Sequence, residues 1–360
     1  MVRSNLNSKT FLTINFGCRV NMAETNQWSQ TLVDQGFNPV KSYDSPSIVF
    51  INTCAITKKG EKESINKIKY LIQKYPKAQI YVSGCANFDK VKNLKNINVV
   101  TNDEKEKILT SLNSSYTSSI EDKFSHTHRF LLKVQSGCTQ FCSYCIVPFR
   151  RPKLYSLSIK NAIDTINNAV KNNYQEIIIT GVNLDQYQPG FSNLVESLLK
   201  KTNISLISFG SIPINCIDQK FIDLLKNIDY QNRLSHFLHI PIQSGSDKIL
   251  KLMNRPYTIK DIKNKFNQLK KLPNIFFGTD IIVGFPTETE KDFKETLNLC
   301  KEIGFSKIHT FKYSPRPNTK ARILFENSPK FSKEVLKFRS QKIRSLNGQN
   351  KLPSHQTLET

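Results

Sequence analysis

The sequence lacks any run of about 18 apolar residues, the length that a helix needs to cross a bilayer, so it predicts no membrane-spanning segment. Its amino terminus, "MVRSNLNSKTFLTINFG", lacks the apolar segment and the small-residue cleavage site of a signal peptide. We therefore expect a cytoplasmic protein with no membrane partner. In a reducing compartment, the eight cysteines are expected as thiols, metal ligands or small buried residues rather than as disulfides.

Acidic residues are also scarce. The 360 residues include 29 Asp and Glu against 52 Lys and Arg, which gives a formal net charge of +23. Such a balance favours a polyanionic partner such as nucleic acid. A codon bias towards Asn, Ile and Lys explains the same excess equally well, so charge alone leaves both interpretations open.

The first part of the chain alternates short apolar runs with amphipathic stretches. The runs "TFLTINFG", "SIVFINT" and "AQIYVSG" are each followed by a polar-apolar segment, most of them of helical periodicity. This alternation predicts a three-layer α/β domain with a parallel sheet over residues 1–115. The polar, Ser/Thr-rich residues that follow predict a linker over residues 116–128.

The alternation resumes over residues 129–328. Six candidate strands lie at 129–135, 176–182, 206–212, 236–242, 276–285 and 307–314, and helix-like stretches separate them. This order suits either an open doubly wound sheet or a partial barrel, and both place their chemistry at the carboxyl ends of the strands. Residues 329–360 begin as a basic amphipathic helix and end in a polar tail.

Three cysteines follow the first of these strands, in "GCTQFCSYC". Cys138, Cys142 and Cys145 have the spacing C-x3-C-x2-C, which can wrap an iron-sulfur cubane and leave its fourth iron open. Two alternatives remain at this point. The same positions share one helical face and could be core residues, or they could hold zinc together with His126 or His128.

A second set of cysteines is dispersed along the first domain. Cys18, Cys54 and Cys85 each come just after one of its predicted strands. Because the carboxyl ends of parallel strands share one edge of a sheet, we expect these thiols to converge there. The pattern predicts a second three-thiolate cluster site.

Many segments together resemble the radical S-adenosylmethionine (SAM) methylthiotransferases. Besides the first triplet they include "FGCRVNMAET", "INTCAIT", "VSGCA", "LHIPIQSGSDKILKLMNRPYT", "GTDIIVGFPTETEKDF" and "FKYSPRPNTKA", in the family's order. Within that family "GCRVN" is most similar to the branch that modifies N6-threonylcarbamoyladenosine in tRNA. The resemblance implies that the second half is a radical SAM (β/α)6 partial barrel.

The resemblance also implies the cofactors and the partners. These are two 4Fe-4S clusters, SAM, tRNA, a one-electron reductant and a sulfur donor. A SAM molecule on the open iron of the first cluster would yield a 5′-deoxyadenosyl radical, which would take hydrogen from C2 of the adenine. The second cluster would then provide the methylthio group, and the cofactors would carry this chemistry while the protein orients them.

The resemblance implies further site residues. Contacts to SAM are expected from Gly181, Val182, Asn183, Ser211, Gln243 and Asp280. Contacts to tRNA phosphates are expected from Arg150, Arg151 and Arg316, although ordinary surface arginines are an equally simple interpretation.

The chain departs from the family in two places. In "FRRPKLYSLS" Pro152 stands where the family has a glycine, and the arginines that usually follow are absent. The family's small β-barrel RNA-binding (TRAM) domain is also not expected after the radical SAM domain. Two alternative substrates therefore remain: isopentenyladenosine in tRNA and an aspartate of a ribosomal protein. A further alternative is a non-catalytic iron-sulfur protein that binds RNA or takes part in redox reactions.

Overall fold

The computed structural model describes residues 9–41, 44–105 and 129–348. Its first part is a five-stranded parallel sheet in the order β2-β1-β3-β4-β5. The strands are β1 Thr10–Asn15, β2 Asn38–Pro39, β3 Ile48–Thr53, β4 Gln79–Gly84 and β5 Ile97–Val99. The helices are α1 Arg19–Asp34 and α2 Lys58–Lys74, and residues 102–105 are also helical.

The sequence of this sheet explains its layers. The central strands β3 and β4 are rich in β-branched residues and are buried along most of their length, as expected for parallel strands covered on both faces. Helix α2 turns Ile65, Ile68 and Leu71 towards this sheet. The hydroxyl of Thr57 caps its first turn by accepting a hydrogen bond from the Gly60 amide.

The second part contains six parallel strands in chain order. They are β6 Arg129–Ser136, β8 Glu176–Gly181, β9 Leu206–Phe209, β10 Phe237–His239, β11 Phe276–Val283 and β12 Lys307–Lys312. A backbone bridge between Ser211 and His239 joins the first three strands to the last three. This arc is the partial barrel that the resemblance implies, and each of the six predicted strands is present.

Helices cover the outside of this arc. They are α3 Val147–Arg150, α4 Ile159–Lys171, α5 Phe191–Lys201, α6 Gln219–Lys226, α7 Asp247–Leu252, α8 Ile259–Leu269, α9 Glu290–Ile303, α10 Lys320–Glu326 and α11 Lys333–Arg344. Short 3-10 turns lie at Leu184–Gln186, Ile214–Cys216 and Gln231–Arg233. Capping boxes begin α8 at Thr258 with Asp261 and α9 at Thr289 with Asp292.

Three short strands were not expected from the sequence: β2, β5 and a third one that bears on the site. Strand β7, Tyr155–Ser156, pairs antiparallel with the end of β6. It belongs to "RRPKLYSLS", the segment in which the chain departs from the family pattern. The departing segment is therefore fixed against the strand that leads into the first cysteine triplet.

The two parts share a common interface through helix α1. This helix packs on its own sheet and also on strands β6 and β8 of the barrel. Arg19, at its first turn, donates a hydrogen bond from Nη1 to the carbonyl of Phe209 in β9. The predicted linker over residues 116–128 lies outside the described residues, as does the predicted boundary at residue 115.

Within the described ranges, no helix combines the length and the apolar character that crossing a bilayer would require.

Gly84 should be essential to the edge where β4 ends. It has φ +103°, and a Cβ built there would lie 2.4 Å from the carbonyl oxygen of Thr53 in β3. We expect Gly84→Ala to lower the free energy of unfolding by roughly 3 kcal/mol, because the two strands must separate to admit the methyl group. Urea denaturation of the cluster-free protein measures this.

Gly36→Ala is the matched control for that substitution. Gly36 also has a positive φ, +80°, but a Cβ there would meet no atom within 4 Å. It should therefore cost only the backbone penalty of about 1 kcal/mol. Equal losses in the two variants would show that crowding at Gly84 has no effect on stability.

Candidate iron-sulfur and SAM site

The dispersed cysteines come together at the carboxyl edge of the first sheet. Cys18 directly precedes α1, Cys54 directly follows β3, and Cys85 directly follows β4. They are close in space: a Cβ built on Gly17, next to Cys18, would lie 3.1 Å from the Cys54 Cβ, and the Cys85 amide donates to the carbonyl of Thr53, next to Cys54, at 3.0 Å. The convergence that strand order predicted is therefore present in the structure.

Glycines leave room around these thiols. Gly17 has φ +107°, and a Cβ built there would lie 3.3 Å from the Sγ of Cys54. A Cβ at Gly60, in the first turn of α2, would lie 3.7 Å from the same sulfur. Asn21 stabilises this edge by donating from Nδ2 to the carbonyls of Phe16 and Thr53. The space that Gly17 and Gly60 leave around the Cys54 sulfur therefore fits a bound group larger than a hydrogen atom.

The first triplet lies in a loop and not in a helix. Residues 137–146 have no helical turn, so the alternative of three core cysteines on one helical face does not hold. Gly137 starts the loop with φ +83°, where a Cβ would collide with the Lys153 carbonyl. The Cys138 amide donates to the Arg151 carbonyl at 3.0 Å, so the segment that departs from the family pattern is hydrogen-bonded to this loop.

The two cysteine sets lie side by side. Cys85 packs in one apolar cluster with Ala55 and with Ile146, the residue that follows Cys145. Burial, together with the neighbouring Cys142, Cys138 and Cys85, raises the pKa of Cys145 to about 12. Thiols in such surroundings stay protonated until a metal displaces the proton.

Burial also raises the pKa of the thiols of Cys18, Cys54 and Cys138. Part of Cys18 is exposed to solvent, but protein encloses the residue on its other sides. This enclosure raises the pKa of the Cys18 thiol. Backbone N–H groups oppose the shift at each of the three sulfurs; at Cys138 the donor is Gln140. Such N–H groups are the donors that stabilise thiolate sulfur in iron-sulfur sites.

The sulfur spacing argues against a mononuclear zinc site. Ligands of one Zn²⁺ at about 2.3 Å cannot lie more than about 4.6 Å apart. Among the described residues, no three cysteine sulfurs come within 4.8 Å of one another. The histidines suggested as zinc partners, His126 and His128, lie outside the described residues. The thiols of each set are therefore spaced more widely than one Zn²⁺ requires.

A cavity of about 250 Å³ opens beside the first triplet, at the carboxyl ends of the barrel strands. Its walls include the three cysteines Cys138, Cys142 and Cys145. All six residues predicted to contact SAM line the same cavity: Gly181, Val182, Asn183, Ser211, Gln243 and Asp280. Their contact with SAM stays a prediction, and the structure brings them to one place.

Gln135 organises the wall next to Cys138. Its Nε2 donates to the carbonyls of Ser136 and Gly137, and its Oε1 accepts from the Asn183 amide at 2.8 Å. Asn183 in turn directs Nδ2 to the Sγ of Cys138 at 3.7 Å. A single buried amide therefore aligns the cluster loop with the loop after β8.

A carboxylate on this wall is held by two imidazoles. The Oδ1 of Asp280 lies 3.1 Å from His239 Nε2 and 3.2 Å from His309 Nδ1. Burial alone would raise the pKa of Asp280, but these hydrogen bonds lower it to about 2. Asp280 therefore faces the cavity as an ionised acceptor. The three ligand atoms lie within 4.8 Å of one another, a spacing that a divalent ion could also use.

Arg255 is a cavity residue to which sequence reasoning assigned no role. Its Nη1 donates to the Sγ of Cys142 at 3.3 Å, and its Nε donates to the Tyr257 hydroxyl at 2.7 Å. The guanidinium also lies over the Tyr257 ring, 4.9 Å from the centroid. The signal was present in "MNRPYT", which follows the family pattern, but it does not reveal which sulfur the arginine reaches.

The structure contradicts the predicted tRNA contact for two of the three arginines. Arg151 is 3% exposed and donates to Glu24 Oε1 at 2.6 Å; Arg316 is 2% exposed and donates to Glu61 Oε2 at 2.6 Å. Neither guanidinium can meet a phosphate while it is buried in an ion pair. Arg150 is half-buried, and its contact with tRNA stays a prediction.

The remaining two cysteines belong to the apolar core of the barrel. Cys216 and Cys300 are buried among its apolar side chains. Burial raises the pKa of Cys300 to about 12, and no charged group takes part in that shift. Neither thiol lies with the two sets.

Known families match both parts of the chain. The Radical SAM superfamily matches residues 132–300, and the Uncharacterized protein family UPF0004 matches residues 10–103. The first match contains Cys138, Cys142 and Cys145, and the second contains Cys18, Cys54 and Cys85.

Curated relatives match most of the chain. The tRNA-2-methylthio-N(6)-dimethylallyladenosine synthase of Bdellovibrio bacteriovorus is 30% identical over 335 residues, which are 85% of this chain and 74% of that protein. The threonylcarbamoyladenosine tRNA methylthiotransferase MtaB of Chlamydia pneumoniae is 33% identical over 324 residues, which are 87% of this chain and 76% of that protein.

Among solved structures, the radical S-adenosylmethionine methyltransferase TsrM from Kitasatospora setae superposes with a TM-score of 0.64. The match covers 88% of this chain and 77% of TsrM at 12% sequence identity. At that identity the likeness shows a shared fold.

Iron analysis should separate the two cysteine sets. After anaerobic reconstitution we expect about eight irons per chain, and about four in the variant Cys18→Ala, Cys54→Ala, Cys85→Ala, because each set holds one four-iron cluster. The control Cys216→Ala, Cys300→Ala should keep about eight. An unchanged iron count in the triple variant would remove the second site.

Arg255 should stabilise the first cluster through Cys142. We expect Arg255→Gln to release iron from this cluster to a chelator about tenfold faster, because a charge-assisted hydrogen bond to the sulfur contributes roughly 1.5 to 3 kcal/mol. Arg255→Lys keeps the positive charge and should show a smaller effect. Arg322→Gln, at an exposed pair with Glu326, is the surface control. Equal release rates in all four proteins would contradict the assigned role.

Proposed function

The chain belongs to the radical SAM tRNA methylthiotransferase family, and from this membership we propose that it adds a methylthio group to C2 of N6-threonylcarbamoyladenosine at position 37 of tRNA. The observation that carries the proposal is that two three-cysteine sites adjoin through Cys85 and Ile146, next to the cavity that the first triplet lines. Attaching sulfur at an inert C–H carbon needs both a radical and a source of sulfur within reach of the same atom.

The choice of nucleoside rests on "GCRVN", which resembles the branch acting on threonylcarbamoyladenosine. In the structure this motif forms the second cysteine site: Gly17 makes room for Cys54, Cys18 is one of the thiols, and Asn21 supports the strand edge. The relatives named MtaB, from Chlamydia pneumoniae and Aquifex aeolicus, support the same choice at 33% and 31% identity.

A 4Fe-4S cluster held by Cys138, Cys142 and Cys145 would supply, together with SAM, one-electron cleavage of the sulfonium, and a second cluster held by Cys18, Cys54 and Cys85 would supply sulfur. The residues of the chain prepare the space for this chemistry. Asn183 and Arg255 direct N–H donors to the sulfurs of Cys138 and Cys142. Asp280 offers an ionised acceptor to polar groups of SAM or of the substrate, and Gly181 keeps the cavity wall close to Gln135.

The polyanionic substrate is consistent with the surface charge of helix α11. Four basic side chains are exposed on this helix: Lys333, Lys337, Lys342 and Arg344. Arg339 is buried instead, and its Nη1 lies 2.6 Å from Glu288 Oε2. Binding through such lysines to phosphates should weaken steeply as the salt concentration rises. Arg150, half-buried next to the first triplet, remains a proposed phosphate contact.

The reaction also requires two further partners. A one-electron reductant must reduce the first cluster, and a sulfur donor must restore the sulfur that each turnover consumes. We propose that the two predicted domains, residues 1–115 and 129–328, divide these tasks. The first holds the site of sulfur supply, and the second holds the site of radical formation.

Isopentenyladenosine is the second candidate substrate. It is favoured by the relative from Bdellovibrio bacteriovorus, which is named for dimethylallyladenosine and shares 30% identity. Both candidates place the sulfur on C2 of the same adenosine and differ only in the substituent at N6.

Nucleoside mass spectrometry of tRNA tests the substrate. In a deletion strain we expect 2-methylthio-N6-threonylcarbamoyladenosine to be absent and its precursor to accumulate. The wild-type gene and a Cys300→Ala control should restore it, and Cys138→Ala, Cys142→Ala should not, since this variant loses two ligands of the first site. Loss of the methylthio isopentenyl nucleoside instead would assign the second candidate.

A further inference from the structure

Two arginines of the barrel half reach into the second cysteine site, which belongs to the first half of the chain. Arg151 follows helix α3 and pairs with Glu24 of α1; Arg316 follows β12 and pairs with Glu61 of α2. Both arginines are almost completely buried. The cysteine edge of one domain is therefore lined by cations that the other domain provides.

Within the described ranges, the carboxylate of Glu24 is shared by more than one buried basic side chain. Its Oε1 lies 2.6 Å from Arg151 Nη1, and its Oε2 lies 2.6 Å from Lys105 Nζ. Lys133 approaches Oε1 as well, at 3.4 Å. Even if Lys133 is left out, two buried basic groups share this carboxylate among the described residues, and burial lowers the pKa of Lys105 to about 8. Negative charge added next to such a cluster is stabilised by these buried basic groups.

The groups that can provide this negative charge are the thiols. Arg151 donates from Nη2 to Asn21 Oδ1 at 2.9 Å, three residues after Cys18. Arg316 pairs with Glu61, which follows Gly60 beside the Cys54 sulfur and whose Oε1 accepts from the Asn87 amide, two residues after Cys85. Arg316 carries a second sign of an absent partner: its Nε is buried and has no hydrogen-bond acceptor among the described residues. A buried guanidinium therefore lies near each of the three cysteines.

Iron ligation changes the charge of this edge. A thiol is neutral, whereas a thiolate bound to iron is anionic, so loading a cluster adds negative charge where the cations already lie. We propose that Arg151 and Arg316 are positioning residues that compensate the thiolate charge of the second cluster and set its reduction potential. The cations are part of the folded chain before the cluster arrives.

This arrangement couples the cluster to the docking of the two halves. The thiols come from the ends of β1, β3 and β4, and the cations come from the segments after α3 and β12. Asn102 adds a neutral link, because its Nδ2 donates both to the Gly84 carbonyl and to the Arg150 carbonyl. The second site is charge-balanced only while the barrel half is docked against it.

Substitutions in the Arg316–Glu61 pair test the proposal by the direction in which they shift the reduction potential of the second cluster. The test uses the full chain with Cys138→Ala, Cys142→Ala and Cys145→Ala, so that only the second cluster is reduced. Arg316→Gln should lower the ratio of reduced to oxidised cluster at a fixed potential about tenfold, which is ~59 mV for one electron. Glu61→Gln should shift the potential in the opposite direction, because it removes a negative charge. Spectroscopic redox titration measures both.

A purely structural role predicts a different result. Removal of either partner would then break the same ion pair, and both variants would shift the potential in the same direction or leave it unchanged. Either outcome would overturn the proposal. Arg316→Lys keeps the positive charge and should restore the wild-type potential; a shift equal to that of Arg316→Gln would also overturn it.

Cluster loading provides the second measurement where a variant fails to hold iron. If only Arg316→Gln loses the second cluster while Arg316→Lys and Glu61→Gln keep it, the charge requirement is supported. If all three variants lose it, the pair acts through folding and the proposal is overturned. The inference rests on the proposed function only in requiring a cluster at this site, so a wrong nucleoside would change the tRNA analysis and leave these potentials unaffected.

Discussion

The architecture depends on one buried carboxylate that is shared between the two halves of the chain. Glu24 lies on α1 with no exposed surface, and it accepts from Arg151 of the barrel and from Lys105 of its own half. Burial alone would raise the pKa of Glu24, but these cations hold it well below its ordinary value. A buried ion pair of this kind adds little net stability, but it is strongly destabilising when one partner is lost. It therefore selects one docking arrangement rather than simply adding stability.

That arrangement determines where the two cysteine sets meet. Arg151 is anchored by Glu24, and its carbonyl accepts from the Cys138 amide, so the ion pair also fixes the start of the first cysteine loop. Ile146, at the end of the same loop, then packs against Cys85. One chain segment thus connects the interdomain ion pair, the first triplet and the second triplet. The segment includes "RRPKLYSLS", where the chain departs from its family, and the structure shows that it still pairs with β6.

Much of the fold and of the site follows from local patterns. The six barrel strands were predictable because β-branched apolar runs alternate with amphipathic helices. The cysteines of both sets were predictable because they follow strand ends, and the carboxyl ends of parallel strands share one edge. Strand β7 was missed because two residues carry no periodic signal, and its pairing depends on the neighbouring strand. Arg255 was missed as a sulfur partner because it lies 113 positions along the chain from Cys142.

The sequence by itself determined the family, the alternation of parallel strands with helices and the six cysteines, because these depend on spacing and on periodicity. Only the tertiary structure decided the role of the arginines. Arg151 and Arg316 look like phosphate contacts in a basic sequence, yet both are buried in ion pairs with residues more than 120 positions away, as the separations of 127 and 255 show. Charge in a sequence reveals the sign of a side chain, and burial and pairing, which only the folded chain fixes, decide which anion it meets.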